Sequence, residues 1–202
     1  AILEPHVLED RYRVTDLERR GTKDWKAAEE AAEGRELLKA ADMEAALFMR
    51  DAVWGNATAR ALLEGCLTEQ SVFWSDSTTG LACKARADAV NLTLGALVDV
   101  KTTTDASPRG FARQFASLGY GLQEIHYRAG FASVGFEPEV FAFITLEKSH
   151  PFLVATYELP PYTRQAYDER YCELVMAYAQ CYRANHFPGY DDAIVALDLP
   201  FI

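Results

Sequence analysis

Residues 81 to 103 read LACKARADAVNLTLGALVDVKTT, two runs of small and β-branched residues joined by Asn91-Leu92-Thr93-Leu94-Gly95, whose polar and glycine residues suit a turn. Side chains alternate between faces along a strand, so Lys84, Arg86 and Asp88 alternate with Cys83, Ala85 and Ala87. On the second run Asp99 and Lys101 share one face while Val98 and Val100 take the other, which makes one face core and the opposite face a site. A short connection sets the two strands side by side and brings Asp88 within a few ångströms of Asp99. Buried charges are costly unless paired, and two carboxylates that close repel, so a cation between them is expected. Oxygen ligands from Asp88 and Asp99, completed by water, suit a hard octahedral ion, Mg²⁺ or Mn²⁺. Lys101 beside that ion would face an attacking water or a developing phosphate charge, the equipment of metal-assisted phosphodiester hydrolysis. The competing reading is an ion pair on an edge strand, a kind of contact worth little when exposed.

Working outward, Glu69–Asp76 (EQSVFWSD) supplies a preceding strand and completes a three-strand meander. Ser107 and Pro108 supply an N-cap and an N1 proline for a helix through residues 109–131, with Phe111, Phe115, Leu118, Leu122 and Ile125 on one face. Residues 139–147 and 152–159 read as two further strands, and residues 163–185 as a long helix that HFPGYDD, 186–192, brings to an end. Residues 23–65 are rich in Ala, Glu, Leu and Lys and read as helical, with Gly34, Gly55 and Gly65 as breaks. Met43, Ala46, Leu47, Met49 and Val53 form an expected core stripe there. The expectation is one domain over 1–202: mainly helical over 1–65, catalytic sheet and helix over 66–160, C-terminal helix and tail over 161–202.

Of 202 residues half are apolar and a quarter charged, with no apolar run of about 18, so a soluble intracellular protein without a membrane span is expected. The first residues, AILEPHVLED, lack the shape of a signal peptide. Cys66, Cys83, Cys172 and Cys181 show no ligand spacing, which argues against zinc or iron–sulfur sites and leaves them as core filler. Trp25, Trp54 and Trp74 are expected in packing, and His126 and His150 receive no role. A net charge of −10 disfavours a nucleic-acid partner for the chain as a whole, but a total says nothing of one face.

Arg86-Ala87-Asp88, followed after ten residues by Asp99-Val100-Lys101, resembles the PD-(D/E)xK nuclease signature, with Ala87 where the family has proline. Residues 68–127 are similar to the nuclease domain of the exonuclease VIII (RecE) family of phage and prophage recombination systems. The likeness is carried by Glu69 before an aromatic strand, the TG-L-C-x-x-R-x-D strand, DVKTT, and Gln123 with Tyr127, and outside this block by Ile2-Leu3-Glu4-Pro5. That resemblance implies an α/β (α+β) fold with a restriction-endonuclease-like core, a central mixed β-sheet flanked by helices, and an N-terminal helical region. It implies Asp88, Asp99, Glu69 and the Val100 backbone carbonyl as metal ligands and Lys101 as the catalytic lysine. Gln123 and Tyr127, four apart on one helical face, become substrate contacts beside the site. By charge alone, Arg86, Lys84, Arg109, Arg113 and Arg128 are phosphate-binding candidates, each set against the reading of a solvated charge. The implied activity is Mg²⁺-dependent 5′-to-3′ digestion of linear double-stranded DNA, leaving 3′ single strands for an annealing recombinase. The implied assembly is a homo-oligomeric ring, trimer or tetramer, in the cytoplasm of a bacterial host. A DNA-end-binding module without catalysis and an endonuclease on the same core are the alternatives. The family's histidine before the LEP-like segment has no counterpart here, so the expectation is a nuclease portion lacking an upstream residue.

Overall fold

The structure, a computed structural model, describes residues 2–190, 192–194 and 196. The elements run α1 (Leu8–Arg11), β1 (Tyr12–Thr15), α2 (Lys23–Glu30), β2 (Glu36–Lys39), α3 (Ala40–Gly55), α4 (Ala57–Leu63), β3 (Leu67–Ser75), β4 (Ala82–Asn91) and β5 (Ala96–Thr103). They continue with α5 (Pro108–Leu118), α6 (Tyr120–Ser133), β6 (Val140–Glu147), β7 (Val154–Tyr157) and α7 (Pro161–Ala184).

β3 to β7 form one mixed sheet in sequence order. β3, β4 and β5 are the expected antiparallel meander, while β6 lies parallel to β5 and β7 antiparallel to β6. A parallel neighbour needs a crossover, and α5 and α6 provide it. Helices cover both faces. Leu97, Phe115, Phe141 and Phe143 pack on the side of α5 and α6, while Val98, Ile144 and Leu146 pack with Val53, Ala59 and Leu63 of α3 and α4. Leu97 and Val98 are both essentially sealed from water, so the expectation of one core face and one site face is corrected: the sheet is buried on both sides, and Asp99 lies inside the protein.

The expected helix over 109–131 is two helices. Gly119 takes the left-handed conformation (φ 68°), ending α5 and starting α6 in a new direction. The stripe built on a single axis therefore fails beyond Phe115: Leu118 is 60% exposed, while Ile125 is buried by α6. The N-terminal part is less helical than its composition indicates, because β1 and β2 pair in parallel, with Leu37 buried. In the expected α3 stripe only Val53 is fully buried, Met43, Ala46, Leu47 and Met49 being half-buried. The cysteines are not core filler either, for Cys172 is exposed and the others are half-buried. Asp191 of the expected break at 186–192 falls outside the described residues.

The tryptophans pack as expected. Trp25 is buried, Trp54 donates to the Ile2 carbonyl (3.1 Å), and Trp74 rests against the His126 ring (4.8 Å between centroids). His126, given no role by sequence, ties α6 to two neighbours: Nε2 lies 3.0 Å from the Lys84 carbonyl and Nδ1 2.9 Å from the Tyr171 hydroxyl. Burial pushes the Tyr171 phenol up to about 12. Glu124 is fully buried on α6 and held by Arg128 (2.8 Å) and Arg164 of α7 (3.5 Å). Among the described residues no helix is long and apolar enough to cross a membrane.

Two stability measurements check these assignments. Gly119→Ala should lower unfolding free energy in urea by about 1–2 kcal/mol, because a Cβ disfavours the left-handed conformation. Glu124→Gln should cost more, about 3–5 kcal/mol, because it leaves two largely buried guanidinium groups without their counter-ion.

Candidate functional site

β4 and β5 are paired over only three rungs, Asn91↔Ala96, Val90↔Leu97 and Ala89↔Val98. Both strands continue past the last rung but with other partners: β4 stays with β3 back to Ala82, and β5 stays with β6 out to Thr103. Asp88 and Asp99 are the first residues beyond the last rung, at the point where the strands part.

The parting leaves the Val100 N–H without a strand partner, and Asp88 supplies one: its Oδ2 accepts from Val100 N at 2.8 Å. The carbonyl of a strand residue points to the same side as its N–H, so the Val100 oxygen also faces the gap. Asp99 is 2% exposed, and its Oδ1 accepts from Gln123 Nε2 of α6 at 2.7 Å. Lys101 Nζ lies 2.6 Å from Asp99 Oδ2, yet this buried oxygen has no well-aligned hydrogen-bond donor. The ammonium also sits 4.5 Å above the centre of the Tyr120 ring, a cation–π contact. Gln114 steadies that ring, its Nε2 donating to the Tyr120 hydroxyl (3.2 Å) and to the Thr102 carbonyl (3.1 Å).

Burial pushes the Asp88 carboxyl above its ordinary value, and the negative charge of Asp99 pushes it further, against the pull of the Val100 N–H, Lys101 and Arg86. Asp99 is likewise raised by burial, with Lys101 and Gln123 opposing. Two acids raised side by side mark a place where negative charge is held at a cost in the ligand-free protein.

The remaining expected residues divide. Glu69 stands in the left-handed conformation (φ 53°) on β3 and joins Asp88, Val100 and Thr102 in lining a cavity of about 340 Å³. Its Oε2 is 2.9 Å from Arg86 Nε, so Arg86 is tied to an acid and is not free for phosphate. Tyr127 does not meet the acids. It packs against Phe141 (6.2 Å) and opens on a separate groove. Arg109 and Arg113 lie exposed on α5, and among the described residues neither pairs with Asp88 or Asp99. Among the described residues no three His, Cys, Asp or Glu side chains converge as a metal cluster. The donors on offer are two carboxylates and a backbone carbonyl, all hard oxygens, with one carboxylate oxygen lacking an aligned donor.

Sequence reading missed three contributors. Tyr120 is three residues before Gln123 and so shares its helical face, a signal that was present. Glu4 and Arg11 line the same cavity as Asp88, with Glu4 reaching Thr68 (3.4 Å) and Arg11 (3.5 Å), and nothing local in the sequence announces that closure.

The raised carboxyls set the sign of a pH effect. In metal-free protein they favour folding least above their raised folded-state values. As pH falls through those values toward the ordinary aspartate value of about 4 the penalty disappears. Asp88→Asn keeps an acceptor for Val100 N–H and removes the charge. Its melting temperature should exceed the parent's by several degrees at pH 8 in EDTA, with the gap closing toward pH 4.

A family profile described as a PDDEXK-like domain of unknown function, DUF3799, matches residues 1–198. Among solved structures the chain is similar to the crystal structure of a "putative exonuclease" from Eubacterium rectale. The TM-score is 0.57 and the identity 13%, over 88% of this chain and 70% of that one, a likeness of fold. The crystal structure of SSO0001 aligns with TM-score 0.34 and 16% identity over 73% of this chain and 61% of that one, too distant to carry an argument. No curated protein matches significantly. The five-stranded mixed sheet with helices on both faces agrees with a PD-(D/E)xK-like core. With a match running over nearly its whole length, the chain belongs to the DUF3799 family of PDDEXK-like domains.

Proposed function

We propose that this chain is a divalent-metal-dependent deoxyribonuclease, a 5′-to-3′ exonuclease on linear duplex DNA that leaves 3′ single strands for an annealing recombinase. The observation that carries the nuclease reading is the meeting of Asp88, Asp99 and Lys101 where β4 and β5 part. Direction, the annealing partner, a homo-oligomeric ring and a bacterial cytoplasmic setting rest on the resemblance of residues 68–127 to the RecE-type nuclease domain. In such a ring, basic side chains facing the channel and acids facing outward would reconcile a net charge of −10 with a DNA substrate.

Asp88, Asp99 and the Val100 carbonyl would hold Mg²⁺, or Mn²⁺ in its place, with Glu69 at the edge of the same cavity. When bound, the ion supplies Lewis-acid polarisation of the phosphoryl oxygen and a more acidic water. The chain's own groups do the rest. Gln123 fixes one oxygen of Asp99 and so turns the other toward Lys101 and the gap. Tyr120 and Asp99 together hold the Lys101 ammonium in one place, where it can donate to a non-bridging phosphate oxygen or orient the attacking water. Two protein layers around the sheet limit the water near these charges, which strengthens each interaction.

Linear duplex labelled at either the 5′ or the 3′ end, digested with Mg²⁺ beside a closed circular control, tests the reading. Early metal-dependent release of the 5′ label with the circle intact is expected, and EDTA should stop it. Cutting of the circle would move the assignment to an endonuclease, and binding without cutting to an end-binding module. Asp99→Asn and Lys101→Ala should each reduce cleavage by about 10²-fold or more while circular dichroism stays that of the parent.

A further inference from the structure

The outer part of the β3–β4 hairpin carries side chains that the acid cluster does not use. Ser71 pairs with Arg86 and Phe73 with Lys84 across the ladder, so these four share one face. Phe73 is 72% exposed on the edge strand of the sheet. Ser71, Phe73, Lys84, Ala85, Arg86 and Tyr127 line a groove of about 380 Å³. Its lining holds Lys84 and Arg86 and no acid, with Arg86 tied to Glu69 outside it, in a chain of net charge −10. Among the described residues Lys84 has no ion-pair partner.

The groove also neighbours the cavity beside the acids. Arg86 reaches from it to Glu69, and Glu69 lines the cavity that holds Asp88. An exposed phenyl ring beside an unpaired cation is what a nucleic-acid strand needs when its bases are unpaired. Bases inside a duplex stack on one another and offer no face to a side chain, whereas a single strand offers one at every nucleotide. We propose that this groove binds single-stranded DNA, with a base on Phe73 and a backbone phosphate at Lys84, as the strand leading to or from the Asp88–Asp99 gap. The identity of the strand rests on the nuclease reading above. The position of Phe73, Lys84 and Tyr127 around one groove does not.

The test is fluorescence anisotropy with labelled oligothymidylate and a hairpin duplex of equal length, using the 202-residue chain with Asp99→Asn so that nothing is cut. Phe73→Ala in that background should weaken oligothymidylate binding about tenfold and duplex binding less than twofold, and Phe73→Trp should restore it. Lys84→Ala should reduce the slope of log affinity against log salt by about 0.7. Unchanged oligothymidylate affinity in Phe73→Ala overturns the proposal. So does dissociation of an assembly by Phe73→Ala, seen in sedimentation, with strand affinity intact, which would give this face to a second copy of the chain. Cleavage by the unsubstituted protein is scored separately: its absence sinks the nuclease reading, while cleavage together with a neutral Phe73→Ala sinks only the strand groove.

Discussion

Everything in the site depends on the early end of the β4–β5 ladder. Three rungs hold the two strands together, after which each keeps its other neighbour and the space between them opens. An open ladder inside a buried sheet strands backbone polar groups, and those groups need partners. Asp88 satisfies the Val100 N–H, and that bond draws one carboxylate toward the strand that carries the other. Helix α6 then closes the far side, with Gln123 on Asp99 and Tyr120 beneath Lys101. The acids are consequences of a fork in the sheet, and the helix break at Gly119 sets the angle at which α6 meets them.

The arrangement is unfavourable by itself. Burial raises both aspartates, the charge of Asp99 raises Asp88 further, and Lys101 neutralises only part of the charge. Binding sites are commonly places where stability is lower than the scaffold allows, and a ligand of the right charge restores it. Here the scaffold is apolar on both faces of β5, so the site is supported by Phe143 and Leu97 on one side and by Val98 and Ile144 on the other.

The pairing of Asp99 with Lys101, the strand alternation and the nearness of Asp88 were legible because they follow from a period of two and a short turn. The five strands were legible too, since they are compact and bounded by turn residues, while their mixed pairing came only with the family resemblance. Burial of the site face was not, because Asp99 and Lys101 look like an outward face until the packing of α5 and α6 is known. Nor was the break at Gly119, where an unbroken stripe of Phe, Leu and Ile conceals a change of axis. The parallel pair of β1 and β2 was hidden by strong helix formers on either side of Leu37, a tertiary contact overriding local preference. Tyr127 illustrates the limit of spacing arguments: it shares a helical face with Gln123, yet one turn along α6 is enough to move it from the acids to the groove beside Phe73.

The most direct measurement is calorimetric titration of Mn²⁺ into the protein at pH 7.5, beside Asp88→Asn and Asp99→Asn. If the two carboxylates are held in the fork to share a divalent ion, the parent binds Mn²⁺ and its melting temperature rises with the metal, while each variant loses most of the affinity. Equal binding by parent and variants, or no binding by a folded parent, would contradict that claim.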